Sequence, residues 1–441
     1  MILKMLQMSL YRYMKSYKKT LLNIGSAVLL QIITIICGFV ITKLTIVTYG
    51  SDVNGLIASI TRFLAFITLL ESGFPLVIRA LFYKPIAEND KESIAKILKT
   101  SENFFRKIAI IFIIYIVILC FILPKVVSNE FDKSFTISLI VIIAISTFQE
   151  YYFGLSYSLL LQAYHKKYIY HNIQIITVLL NAIVTIILIY CKCNIQTVKL
   201  ASSFIFILRP IIQNIYVKKK FRINLKNVES DYKIEKKWDG LAQYISTVIN
   251  NNTDVVLITL CSTVTEVSVY ALYSVIINSV KNLIQSFANG IDTTYGDMIA
   301  KNKQEALNKS FKKFRKFYYL IATIAFLLTA VLIMPFIFFY TKGISDANYI
   351  RPIFALIMIV AQYIEVLKKP YFDLVLAKGD FKQTKNGAWI ESILNIVISF
   401  ILVWYWGIIG VAIGTLISVS IRTVEIVHYT SKNILKVGVK V

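Results

Sequence analysis

A chain of 441 residues that is 57 % apolar and 16 % charged is neither a soluble globule nor a disordered polymer. Its formal charge of +24 would suit nucleic acid only if the basic residues formed a stripe interleaved with aromatic side chains. They cluster instead in alternate connections between apolar runs, the positive-inside pattern of a polytopic membrane protein, and nucleic acid drops out as a partner.

In chain order, Arg12, Lys15, Lys18 and Lys19 precede an apolar run over 21–48, too long for a signal-peptide core and read as the first spanning helix. The turn 49–55 has no basic residue and is placed outside; a second helix over 56–83 leads to Lys84, Lys91, Lys96, Lys99, Arg106 and Lys107 inside. Helices over 108–123, 135–164, 169–190 and 197–217 follow, and Lys218 opens a basic segment that ends at Lys237. Six more are expected: two between 243 and 294, then 317–340, 349–377, 387–405 and 408–428. Inner loops are lysine-rich and outer loops short, so the expectation is an all-α polytopic protein with about 12 transmembrane helices and both termini cytoplasmic.

A shift of 213 lays Ile86, Ala87, Asn89, Glu92, Lys96, Lys99 and Phe104 on Ile299, Ala300, Asn302, Glu305, Lys309, Lys312 and Phe317. These matches fall in a polar loop, where low-variety apolar sequence cannot produce them, and they read as a duplication. Two six-helix lobes, 1–217 and 238–441, joined by a basic cytoplasmic linker at 218–237, are therefore expected, related by an axis along the membrane normal.

The polar residues inside apolar segments carry the functional reading. Gln243, Thr247, Asn250 and Asp254 recur at helical spacing, with Ser246 beside them; Asn278, Lys281, Gln285 and Asp292 make a second stripe. An ionised group at bilayer depth costs several kcal/mol unless it faces protein or water, so the stripes read as a wall of a charged, water-filled cavity. Arg62, Arg79 and Glu71 on the second helix join it as candidate substrate contacts; Lys43 and Arg79 also lie within snorkelling distance of helix ends. The tenth helix holds Gln362, Glu365, Lys368, Lys369, Pro370 and Asp373 inside an apolar span. Its i,i+4 spacings, Glu365 to Lys369 and Lys369 to Asp373, allow internal ion pairing, and Pro370 invites a kink. Glu365, Lys369, Pro370 and Asp373 thus form a candidate hinge or second polar site, with Gln149 and Glu150 at the corresponding level of the fourth helix. Arg209, Glu391, Arg422 and Glu425 read as interhelical pairs or interfacial anchors.

Catalytic constellations are missing: there is no phosphate-cradling glycine loop and no zinc-spaced histidine pair, and His165, His171 and His428 are the only histidines. The cysteines, Cys37, Cys120, Cys191, Cys193 and Cys261, have no metal-ligand spacing. The chain reads as a non-enzyme with no cofactor and no bound metal.

Two passages carry a family resemblance. Tyr49-Gly50, Asn54-Gly55-Leu56, Leu69-Leu70-Glu71-Ser72-Gly73-Phe74 and Tyr83-Lys84-Pro85 resemble the first helical hairpin of bacterial polysaccharide-export (oligosaccharide and O-antigen type) flippases of the multidrug/oligosaccharidyl-lipid/polysaccharide superfamily. Asn252-Thr253-Asp254-Val255-Val256-Leu257, Val269-Tyr270-Ala271-Leu272-Tyr273-Ser274 and Tyr295-Gly296-Asp297 resemble its counterpart in the second half. The resemblance implies a MATE-like fold with a central cationic cavity, in the bacterial plasma (inner) membrane. It implies that undecaprenyl-diphosphate-linked oligosaccharide passes from the cytoplasmic to the outer leaflet by alternating access, for capsule, exopolysaccharide or surface antigen. Besides the bilayer, implied partners are a polysaccharide polymerase, glycosyltransferases and a coupling ion, H+ or Na+, for which Glu71, Asp254 and Glu365 are candidates. Arg62, Arg79 and Lys281 suit a diphosphate, and the Asn and Gln side chains suit sugar hydroxyls. Two alternatives stand beside this: a MATE-like drug or metabolite antiporter, and a non-transporting scaffold of a polysaccharide assembly complex.

Overall fold

Water is absent from a hydrocarbon core, so every backbone N–H and C=O crossing it must be satisfied within the chain, and long apolar runs fold as helices. The computed structural model describes residues 2–71, 73–221, 223, 228, 241–288 and 291–436, with side chains from 22 onward except that of Thr293. Apart from positions 223 and 228, the expected basic linker beyond Phe221 lies outside the described residues, as do the last residues of the tail from 437.

Among the described residues the elements are helical: α1 (Ile2–Tyr49), α2 (Ser51–Ala65) with a 3₁₀ turn (Phe66–Leu70), α3 (Phe74–Glu88), α4 (Lys91–Val126), α5 (Lys133–Gln149), a π turn (Glu150–Gly154) and α6 (Leu155–Ala163). Next come α7 (Lys167–Tyr190), α8 (Ile195–Phe221), α9 (Leu241–Cys261), α10 (Val264–Ser286) and α11 (Ile291–Ala300). Then follow α12 (Gln304–Tyr340), α13 (Pro352–Lys378), α14 (Phe381–Trp406) and α15 (Ile408–Thr430) with a terminal π turn (Ser431–Leu435). Among the described residues ten helical spans are long and apolar enough to cross a membrane, so this is a multi-pass membrane protein. Two other helices, α9 and α13, are 21 and 27 residues long and span-length by geometry, but polar side chains lower their hydropathy. With them the count reaches the expected twelve.

Several boundaries differ from the sequence reading, each for a local reason. The outer turn expected over 49–55 shrinks to Gly50, whose φ of 90° needs no side chain to clear, and α2 starts at Ser51. The expected second helix is broken: Gly73 is left-handed at φ 78°, and Pro75, which has no N–H to donate, opens α3. The expected helix from Glu266 to Thr294 is likewise divided into α10 and α11, so Lys281 sits near the C-terminal end of α10 instead of mid-span. The basic stretches expected as loops at 91–107 and 304–316 are helical extensions of α4 and α12. In α4, Asp90 caps the N-terminus by accepting from the backbone N–H of Ser93 at 3.0 Å, and Ile94, Ile97, Leu98, Ser101 and Phe105 form its buried stripe.

The chain packs as two compact units, Met1–Leu44 with Gly73–Lys236, and Thr45–Ser72 with Lys237–Val441. In the first, α4 packs on α3 and α5, and α8 on α5 and α7. In the second, α14 and α15 pack together, α13 on α15, α9 on α14, and α2 on α9 and α10. The α2–α10 crossing pairs residues separated by about the shift of the expected duplication. The Thr265 hydroxyl donates to the Asp52 carboxylate, and Asn54 Nδ2 to Ser268 Oγ at 2.7 Å, partners separated by 213 and 214 residues. Ser51 and Tyr349 extend this end: Ser51 Oγ donates to Asp346 Oδ1 at 2.8 Å, and the Tyr349 hydroxyl lies 2.9 Å from Ser268 Oγ.

Candidate functional site

Basic side chains inside the two units fall into two classes according to what holds them. Lys368 sits 2.6 Å from Glu365 and 3.3 Å from Glu391, Lys369 pairs with Asp373, and buried Arg422 pairs with Glu425 and lies 3.6 Å from Glu391. Their charges are neutralised by the fold. Arg62, Arg79 and Lys281 meet amide oxygens instead. Arg62 Nη1 donates to Asn252 Oδ1 at 3.4 Å, Arg79 Nη1 to Gln162 Oε1 at 3.4 Å, and Lys281 Nζ to Gln362 Oε1 at 2.8 Å. Among the described residues none of the three has a carboxylate within ion-pairing distance. An amide orients a cation without cancelling its charge.

Lys281 also lines a cavity of about 110 Å³ inside the second unit, together with Asn250, Gln362, Glu365, Lys369 and Arg422. Its wall on α9 carries Gln243, Ser246 and Thr247. The sequence-selected residues distribute as follows. Asn250, Lys281, Glu365 and Lys369 come together at this cavity. Asp254 lies elsewhere, buried on the same helix. Half-buried Asn278 and Gln285 on α10 do not line the cavity, and Asp292 opens α11 within electrostatic reach of Asp373. Glu71 is buried at the end of the 3₁₀ turn, and Arg79 belongs to α3 in the first unit. In α13, Glu365 pairs with Lys368, three residues on, whereas the expected i,i+4 pairing joins Lys369 to Asp373. The helix runs unbroken through Pro370, and the Tyr319 hydroxyl donates at 3.1 Å to the Leu367 carbonyl one turn before it.

Asp254 anchors a second polar cluster. Its Oδ2 accepts from the Tyr270 hydroxyl at 2.7 Å and from Thr415 Oγ1 at 2.8 Å, and Asn395 Nδ2 donates to that same Thr415 oxygen at 3.1 Å. The other oxygens, Asp254 Oδ1 and Asn395 Oδ1, are buried with no donor. Buried acceptors left without a proton cost free energy, and carboxylate, amide and hydroxyl oxygens gathered in one place suit a hard monovalent cation. Sequence reasoning selected Asp254 and missed Asn395 and Thr415. Each is an isolated polar residue on an apolar helix, and the spacing along the chain carries no sign that they converge.

No protein-family model and no curated protein matches this chain. Solved structures do. The lipid II flippase MurJ in an inward closed conformation superposes with a TM-score of 0.67 at 16 % identity, over 92 % of this chain and 87 % of that one. The fold is that of MurJ and the MATE transporters. An inward-facing multidrug resistance MATE family transporter of the MOP superfamily matches with a TM-score of 0.56 at 12 % identity, covering 88 % of this chain and 91 % of that one. The eukaryotic MATE transporter AtDTX14 gives 0.61 at 10 % identity, with 94 % and 95 % covered. At such identities the likeness is one of architecture.

Proposed function

We propose that this chain is a flippase of the multidrug/oligosaccharidyl-lipid/polysaccharide superfamily in a bacterial plasma membrane. It moves an undecaprenyl-diphosphate-linked oligosaccharide from the cytoplasmic to the outer leaflet by alternating access, for a surface polysaccharide. The observation that carries this reading lies in the second unit, where Arg62 and Lys281 are held by amides and have no carboxylate partner, so they offer their charge to an anionic group. A diphosphate supplies that charge. Arginine grips phosphate oxygens in a fork and lysine acts as a point charge, while Asn250, Gln243 and Gln362 offer the neutral hydrogen bonds that sugar hydroxyls need. A cationic drug would meet repulsion from the same residues, which weighs against the antiporter reading. Both termini on the cytoplasmic side, and two repeats joined through 218–237, belong to the same proposal.

Deletion of the gene, followed by measurement of the lipid-linked sugar pool on each membrane face, tests it. Accumulation on the cytoplasmic face with loss of surface polymer is expected; an unchanged pool would overturn the reading.

Coupling is assigned to Asp254, whose unpaired Oδ1 and the unpaired Asn395 Oδ1 supply ligands for a monovalent cation. In proteoliposomes, Asp254→Asn is expected to make flipping independent of a sodium or proton gradient and to lower its driven rate at least about tenfold, the scale of one lost charge-assisted contact. An unchanged ion dependence would remove Asp254 from the coupling step.

A further inference from the structure

Helix α12 is longer than a bilayer needs. Its 37 residues extend roughly 55 Å, whereas the uncharged part, 317–340, covers roughly 36 Å and already matches a hydrocarbon core about 30 Å thick. The remainder carries Lys309, Lys312, Lys313 and Lys316, at intervals of three, four and seven residues, so the four ammonium groups share one face of the helix. All four are exposed, and they lie roughly 2–12 Å beyond Phe317, at the depth of lipid headgroups. Above them the same face continues as Leu320, Ile324, Leu327 and Val331, each more than half exposed. The opposite face is fixed in the fold. Leu307 and Phe311 pack against Ile434 and Leu435 of the terminal π turn, and Gln304 Nε2 donates to the carbonyls of those two residues at 2.9 and 3.2 Å. Arg315 turns that way too, donating from Nη1 to the Tyr371 hydroxyl at 2.6 Å.

The stripe lacks a counter-charge. Among the described residues no carboxylate lies within ion-pairing distance of any of the four lysines: Asp297 is taken by Lys301, Asp380 by Lys378 and Glu425 by Arg422. Glu305, one turn before Lys309, is exposed and forms no ion pair with it. Like charges three and four residues apart destabilise a helix, and this stripe contains four such pairs. The basic extension of the first unit is built differently. There Lys96 Nζ sits 2.6 Å from Glu92, and Arg106 lies 3.9 Å from Glu102, acids placed four residues earlier. Positive charge left uncompensated at headgroup depth, continuous with apolar surface at acyl-chain depth, is complementary to an amphiphile with an anionic head. A soluble acidic protein would match the lysines alone, because it does not follow the face into the hydrocarbon.

We propose that this face of α12 is a binding site for an anionic phospholipid, with the phosphate held by Lys312, Lys313 and Lys316 and an acyl chain lying along Leu320, Ile324 and Leu327. Lysines on a helix packed into the fold are preorganised in backbone position, and a headgroup phosphate neutralises the repulsion among them. The site is on one helix of the second unit, apart from the cavity at Lys281, which α12 does not line, and it does not depend on what the protein carries.

Titration of the purified full chain in detergent with phosphatidylglycerol or phosphatidylcholine, followed by native mass spectrometry, tests it. Wild type is expected to bind phosphatidylglycerol the more tightly, and Lys312→Gln/Lys313→Gln/Lys316→Gln to weaken that lipid at least about tenfold, the scale of three lost surface lysines. Lys107→Gln/Lys382→Gln/Lys385→Gln removes the same charge from exposed positions elsewhere and should keep the preference. Without added lipid the α12 variant should melt no lower than wild type, because like charges have been removed from the helix. Added phosphatidylglycerol should raise the midpoint of wild type and of the control but not that of the α12 variant. Equal affinity for phosphatidylglycerol in wild type and the α12 variant would overturn the proposal. So would an equal loss in the control, which would make the effect one of net charge. No preference for phosphatidylglycerol in wild type would leave the stripe to an acidic protein and overturn it too. Binding of undecaprenyl phosphate that phosphatidylglycerol fails to displace would overturn it by assigning the face to the transported lipid.

Discussion

Arg62→Gln and Lys281→Gln are each expected to stop transport while the protein is made and inserted at normal levels. Both side chains are half-buried and hydrogen-bonded to an amide oxygen, so removing the charge leaves a neutral amide that can find another partner. The fold loses little. A bound diphosphate loses a charge-assisted contact of about 1.5–3 kcal/mol, roughly a ten- to hundredfold drop in affinity for each substitution. Arg62→Lys keeps the charge without the fork and should retain intermediate activity. The contrasting variant is Lys368→Ala. It leaves Glu365 and Glu391 in the cavity without their shared cation, and loss of one partner of a buried ion pair costs about 3–5 kcal/mol, so a lower yield and melting temperature are expected there. Melting temperature and sidedness of the lipid-linked pool, measured on all four variants, separate the classes. Full export by both Arg62→Gln and Lys281→Gln would refute the phosphate-contact assignment.

Gly55→Ala is expected to be among the most destabilising single-methyl changes in the chain. A Cβ at this position would lie 1.7 Å from the Val264 carbonyl oxygen and 3.2 Å from the Ser268 nitrogen. These are backbone atoms at the start of α10, and no rotamer change moves them away. The helices must separate, which strains the hydrogen bonds from Asn54 to Ser268 and from Thr265 to Asp52 at the same crossing. Overpacking a close helix contact costs about 3 kcal/mol. Gly38→Ala is the control: nothing lies within 4 Å of a Cβ there, and alanine is the better helix former by up to about 1 kcal/mol. A melting temperature lowered for Gly55→Ala and unchanged or raised for Gly38→Ala is the expected result. Equal melting for the two glycine variants would mean that the α2–α10 crossing is looser than its geometry.

Much of the architecture was legible in one dimension. Apolar run length, which marks the membrane helices, is a property of neighbouring residues. The helix breaks were less so. Gly73 with Pro75 is a visible stop signal inside an apolar segment, yet hydropathy averages over it. The basic extensions of α4 and α12 were read as loops because their charge masked the buried stripe beneath.

By itself the sequence determined the membrane class and the all-helical architecture, because each follows from local composition and from what a bilayer permits. The partner of each buried charge was decided by tertiary structure alone. Lys281 and Lys368 are both lysines on apolar helices. One meets Gln362, 81 residues away, and has no carboxylate partner; the other meets Glu391, 23 residues away, and its charge is paired. The same holds for Gln149, whose free oxygen exists because Pro210, on another helix, leaves a carbonyl for its nitrogen to satisfy. Such pairings arise when helices pack, and hydrogen-bond satisfaction in a medium without water then selects which side chains remain available to a ligand.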